Sequence, residues 1–122
     1  MALKLSSRQQ ATVVVLETFP PRFDQIHRLI EEMASLQADV SVQRRLTRML
    51  DEMKIAAQSV GQVGLADSLG VLATLGRRTG GLQTRIRGLR EGFVGLKINF
   101  DGAMRSASTP EAAADDDATA PL

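Results

Sequence analysis

Apolar residues recur at every third or fourth position from Leu82 to Phe100. An α-helix makes one turn in 3.6 residues, so this spacing places the apolar side chains on one face of a helix. Such a face is stable only when it is buried against another element. The sequence therefore predicts a helix over residues 82–105 that packs into a shared core. The apolar face consists of Leu82, Ile86, Leu89, Phe93, Leu96 and Phe100.

Four earlier segments also have helical spacing. We predict helices over about residues 7–18, 21–37, 40–60 and 64–78. No segment shows the two-residue alternation of a half-buried strand. The predicted fold is therefore all-α: an antiparallel four-helix bundle with a short N-terminal helix. In the 40–60 helix, the predicted buried stripe consists of Val42, Leu46, Met49, Met53, Ala56 and Val60.

The end of the chain differs in composition from the rest. After Ser106 it consists almost entirely of Ala, Ser, Thr, Pro and Asp. Such a segment buries too little apolar surface to offset the entropy of ordering it. We predict a helical domain over residues 1–105 and a disordered acidic tail over 106–122. All 15 basic residues but only 10 of the 14 acidic ones precede Pro110, so the helical part is positively charged and favours an acidic partner.

Composition also excludes several kinds of site. The chain has no cysteine and one histidine, His27, so thiolate chemistry and His/Cys metal clusters are excluded. We expect no cofactor and no metal. The longest apolar run, Val13–Leu16, is far shorter than the ~20 residues that span a bilayer. We therefore expect a cytoplasmic protein that does not bind a membrane. The arginines near residue 87 have no aromatic among them to stack a base, so a nucleic-acid partner is not expected.

The run Asp51-Glu52-Met53-Lys54-Ile55-Ala56-Ala57, followed by Ser59-Val60-Gly61, resembles the signature helix of histidine phosphotransfer (HPt) domains, His-x-Leu-Lys-Gly-x-Ala. The segments 16–26 and 64–70 are similar to the opening and the fourth helix of that family. The resemblance covers about residues 8–105. It implies a four-helix bundle from a bacterial two-component phosphorelay. It also places Asp51 at the position of the phosphoacceptor histidine and Ile55 at that of the glycine.

These two departures argue against phosphoryl transfer. A carboxylate accepts a phosphoryl group only beside a metal ion, and Glu52 is the only other acid near Asp51 in the sequence. Ile55 would place a branched side chain where the family's glycine keeps the surface low. We therefore expect a non-enzymatic adaptor that binds a response-regulator receiver domain or a histidine kinase. The alternative is an ordinary solvated helix face. The expected partner-binding residues are Arg44, Arg48, Asp51, Glu52, Lys54, Ile55 and Gln58.

Small residues also recur at helical spacing along the predicted last helix. Each interior glycine costs roughly 1 kcal/mol of helix stability relative to alanine, so close packing should offset them. Two explanations stay open: packing inside the bundle, or a homodimer or helical partner on this face. The second would make the chain a structural or oligomerising module. The residues concerned are Gly88, Gly92, Gly95, Asn99 and Gly102.

His27 lies beside the apolar side of the predicted second helix. A partly buried structural histidine is the expected role. Phosphorylation of His27 is the alternative, although the residues around it do not match the HPt motif.

Overall fold

The computed structural model describes residues 4–36, 40–78 and 81–110. Within these ranges the secondary structure is helical and contains no strand, which confirms the all-α prediction. The short first helix precedes four longer ones. The helices are α1 (Ser7–Leu16), α2 (Phe19–Leu36), α3 (Val40–Ser59), α4 (Val63–Arg77) and α5 (Leu82–Ser108).

The starts of α1 and α2 follow from local chemistry. Ser6 and Gln9 form a capping box, in which each side chain accepts a hydrogen bond from the other's backbone N–H at 3.0 Å. α2 begins at Phe19, two residues before the predicted start at residue 21. Pro20 and Pro21 therefore lie in its first turn, where backbone N–H groups have no partner within the helix and the prolines remove no hydrogen bond.

The end of α5 lies beyond the predicted domain boundary at residue 105. The helix continues to Ser108, and Ala107 is buried. The Gln9 side-chain amide donates to the Thr109 carbonyl at 2.6 Å, which ties this end of the chain to α1. Residues 106–108 are therefore helical, in contrast to the predicted disorder. The rest of the predicted tail, from residue 111, lies outside the described residues.

The long helices enclose one core. α2 contacts α3 and α5, and α4 contacts α3 and α5, so each long helix touches two others. α1 packs against α2, α3 and α5. The four phenylalanines of the chain cluster between α2 and α5, with ring centroids 5.0 to 6.0 Å apart in the contacting pairs. These rings are Phe19, Phe23, Phe93 and Phe100.

The buried side of α3 differs from the predicted stripe. Leu50 and Ala57 are fully buried, whereas Met49, Ala56 and Val60 are only half-buried. The predicted stripe is therefore correct only in part, because Met49 and Ala56 pack against the core but are less buried than Leu50 and Ala57. Val42, Leu46 and Met53 are buried as predicted, so the error is a small rotation of the helix about its axis.

The rotation turns α3 toward α4, where two glycines allow a close approach. A Cβ atom on Gly76 would lie 2.9 Å from Cγ2 of Thr47, and one on Gly70 would lie 3.2 Å from Nζ of Lys54. The Gln43 side-chain amide also donates to the Gly76 carbonyl. Because α3 packs closely against α4 on this side, the residues that point toward α4 become buried.

An ion pair joins α2 to α5. Nε and Nη2 of Arg90 donate to the two carboxylate oxygens of Glu31, at 2.9 and 2.7 Å. These hydrogen bonds lower the pKa of Glu31 from its ordinary value of 4.5 and raise the pKa of Arg90. A lowered carboxyl pKa stabilises the fold at pH values above the ordinary pKa. That stabilisation is lost as the pH falls through the lowered value.

We expect Glu31→Gln to reduce the thermal unfolding midpoint slightly at neutral pH, because both side chains of the pair are about half exposed. The difference from wild type should begin to shrink below pH 4.5 and should disappear only when the pH has fallen through the lowered pKa of Glu31, where the native wild-type carboxylate also becomes protonated. Thermal melts of both proteins across this pH range provide the measurement. A difference that persists unchanged in acid would show that packing, rather than the ion pair, causes the loss.

Candidate docking face on the third helix

The outward face of α3 lies opposite its buried side and carries five of the seven predicted partner-binding residues. Ile55 is 65% exposed and lies at the centre of this face. Arg44 and Arg48 are on the same side of the helix, one after the other along its axis, and both are exposed. The exposed residues that define the outward face are Arg44, Arg48, Glu52, Ile55 and Gln58.

Asp51, at the position of the family's histidine, is half-buried and directed toward α4. Its carboxylate forms an ion pair with the guanidinium of Arg77, the last residue of α4. The negative charge at this position is thereby neutralised by a neighbouring helix. The sequence pattern does not predict Arg77 as the partner of Asp51, because the pair joins two helices and spans 26 positions.

Lys54, the remaining predicted residue, is half-buried, and its side chain contacts α4 instead of lying on the outward face. Its side chain lies over Gly70, and with Asp67, Thr74 and Arg78 it lines a surface groove between α3 and α4. The absence of a side chain at Gly70 makes room for the lysine stem. Lys54 therefore belongs to the margin of the candidate site nearest α4.

The outward face has a small net positive charge, because it carries two arginines and one glutamate. Neither Arg44 nor Arg48 forms an ion pair with a carboxylate of the described residues. Arg45, which points toward α2, pairs with Glu32 at 3.4 Å. Glu52 lies at the other margin, in a groove between α2 and α3 that it lines together with Arg48 and Met49. Among the described residues, the unpaired charges of the outward face are therefore Arg44 and Arg48, toward its N-terminal end, and Glu52, three positions from Ile55.

His27 does not contribute to this face. It lies on α2 and is exposed, so the expectation of a partly buried histidine is wrong. Its imidazole stacks on Phe93 with centroids 6.4 Å apart, and Nζ of Lys97 lies 5.0 Å from the centre of the same ring. The buried side of α2 at this level is occupied by Ile26 and Ile30, which leaves His27 on the outside of the aromatic cluster.

The small residues of α5 do not form a single face. A Cβ on Gly88 would meet Leu75 at 3.5 Å, one on Gly92 would meet Leu72 at 2.6 Å, and the Asn99 amide donates to the Ser68 hydroxyl at 2.6 Å. These three residues contact α4. Gly95 and Gly102 instead have no atom within 4 Å of their Cβ positions. Packing inside the bundle therefore accounts for part of the pattern and leaves two glycines unexplained.

The difference between Gly92 and Gly95 gives a stability prediction. Gly95→Ala should raise the free energy of unfolding by roughly 1 kcal/mol, because alanine favours the helix and its Cβ meets open space. Gly92→Ala should lower it by about 1 kcal/mol, because overpacking against the buried Leu72 exceeds the gain in propensity. Urea unfolding of dilute protein measures both. Equal stabilisation by the two variants would contradict the close α4–α5 contact at Gly92.

Two further kinds of site are absent from the part of the chain that the structure describes. It contains no group of three or more His, Asp or Glu residues able to hold a metal ion. None of its helices is long and apolar enough to cross a membrane. The outward face of α3 presents charged and apolar side chains to a binding partner.

Comparisons of the chain with protein-family models, curated proteins and solved structures find no match.

Proposed function

We propose that this chain is a non-catalytic, HPt-like signalling adaptor of a two-component phosphorelay. It binds a receiver domain or a histidine kinase through the outward face of α3 and regulates that partner by occupying its docking surface. No covalent step is involved. The proposal combines the sequence resemblance around Asp51 with the charge and exposure of this face.

The order of contacts between helices supports the proposed antiparallel four-helix arrangement. Along α5, Gly88 lies near Leu75 and Asn99 near Ser68, so the numbering rises on one helix as it falls on the other. The contacts between α2 and α5 run in the same opposed sense. Glu31 meets Arg90 near one end, and Phe19 meets Phe100 near the other.

Ile55 is the single observation that carries the proposed function. A branched apolar side chain that is 65% exposed at the centre of a charged helix face gains stability when a partner covers it. Binding energy at protein interfaces is concentrated in a few such central residues. At the corresponding position the HPt family has a glycine over which the partner's active site approaches, so Ile55 would make direct contact there.

The net positive charge of the outward face, two arginines against Glu52, favours a receiver domain among the partners that the resemblance implies. Receiver domains present an acidic pocket with an apolar rim, and Arg44 and Arg48 complement such a pocket. Complementary charge accelerates association and selects the partner. The ion pair with Arg77 also neutralises Asp51, which would otherwise repel an acidic surface. The sequence departures and the ion pair thus support binding without phosphoryl transfer.

Affinity capture from a lysate of the source cells tests the proposal. Wild type should capture proteins that carry receiver or histidine-kinase domains, identified by mass spectrometry, and Arg48→Glu combined with Ile55→Glu should lose them. The matched control is Ile98→Glu on α5, because Ile98 has the same residue type and the same 65% exposure as Ile55. Capture of the same proteins by the α3 double variant, or of none with such domains, would refute the proposal.

A further inference from the structure

The outward face of α5 carries a second exposed apolar patch. Val94 is 56% exposed and Ile98 is 65% exposed, on the side of the helix opposite the buried stripe. Gly102 lies on the same side and has open space around its Cβ position. α5 does not contact α3 within the described residues, so this patch is separate from the outward face of α3.

We propose that two copies of the chain associate through this patch, with their α5 helices crossing in opposite directions at Ile98. The contact is isologous: a twofold axis passes beside Ile98, and the same residues of both copies take part. The inference is independent of the proposed adaptor function, because it concerns a different helix and needs no receiver domain.

The charges on this face are self-complementary in the antiparallel arrangement. Glu91 and Arg105 lie seven positions before and seven positions after Ile98, each about 10 Å from it along the helix axis. Glu91 therefore faces Arg105 of the partner subunit, and the twofold axis generates this pair twice. Both side chains belong to exposed residues, and neither is ion-paired with another described residue. A parallel arrangement would instead place like charges opposite each other.

The shapes match in the same register. Val94 and Gly102 lie four positions before and four positions after Ile98, each about 6 Å from it along the axis. The exposed valine therefore faces Gly102 of the partner subunit, where the missing side chain leaves room for it. Small residues at a helix crossing allow the two backbones to approach closely. This pairing gives Gly102 a role that packing inside the bundle does not supply.

Charge reversal tests the register. In sedimentation equilibrium, wild type should show concentration-dependent dimerisation. Glu91→Arg and Arg105→Glu should each raise the dimer dissociation constant by about tenfold or more, because each creates two like-charge pairs. An equimolar mixture of the two variants should recover wild-type affinity, since the mixed dimer restores both opposite-charge pairs. Asp67→Arg, an exposed reversal on α4, is the control and should leave dimerisation unchanged.

A cysteine probe provides a second readout that does not depend on charge. The chain contains no cysteine, so Ile98→Cys introduces a single thiol, placed at the proposed axis where it meets the same thiol of the partner subunit. Mild oxidation should convert most of this variant into a covalent dimer, whereas Val71→Cys on the outer side of α4 should remain uncrosslinked. Wild type that stays monomeric at its highest soluble concentration, a mixture without recovery, or equal crosslinking at both positions would overturn the proposal.

Discussion

Leu50→Ala is expected to lower the free energy of unfolding by about 3 kcal/mol, a loss typical of the truncation of a fully buried leucine. Leu50 is fully buried in the core. Removal of its branched side chain forfeits the burial of apolar surface and leaves a cavity that the surrounding helices fill only partly. The apolar periodicity of the sequence places Met49 rather than Leu50 in the core, so this variant tests the observed rotation of α3.

Met49→Ala is the matched control, because it truncates a side chain of similar size at the neighbouring position. Met49 is half-buried at the groove between α2 and α3. Met49→Ala should therefore lower the free energy of unfolding by less than half as much as Leu50→Ala. Urea unfolding at equilibrium measures both variants. A larger loss for Met49→Ala would mean that α3 has the rotation predicted from sequence, with Ile55 no longer at the centre of the exposed side.

Most helix positions follow from local sequence chemistry. The buried stripe of α5 is predictable because apolar residues there recur without interruption, and Ile86, Leu89, Phe93, Leu96 and Phe100 are all buried. The rotation of α3 is harder to predict, since its apolar residues fit two neighbouring orientations. The choice depends on Gly70 and Gly76, which lie on another helix and admit α3 closely on one side. Small residues on the neighbouring helix are the sequence signal that indicates this rotation of α3.

Some features of the candidate site also follow from the sequence, and others depend on contacts between helices. The exposure of Arg44, Arg48 and Ile55 was predictable, because helical spacing alone places them on the side away from the core. The partner of Asp51 was not predictable, since Arg77 comes close only when α4 packs against α3. The match to the HPt motif predicts Lys54 on the partner surface, whereas the space above Gly70 allows its side chain to lie beside α4. Contacts between helices therefore decide the details that periodicity leaves open.

Ile55→Glu is expected to weaken the binding of a captured receiver domain by about thirtyfold or more, the loss typical of a central interface residue. The glutamate removes the apolar anchor and places a negative charge opposite the acidic pocket of the partner. The thermal midpoint should change little, because Ile55 is 65% exposed and contributes little to the core. Calorimetric titration of the purified receiver domain measures the affinity, and thermal melts measure the stability.

Ile98→Glu separates the two surfaces. It should leave receiver affinity unchanged while raising the dissociation constant of the dimer, because Ile98 lies at the proposed α5 crossing and α5 does not touch α3 in the described structure. Ile55→Glu should show the reverse pattern, with receiver binding weakened and dimerisation intact. Equal weakening of receiver binding by both variants would mean that added negative charge, rather than a defined face on α3, governs the interaction. Loss of receiver binding in Ile98→Glu alone would move the docking face to α5.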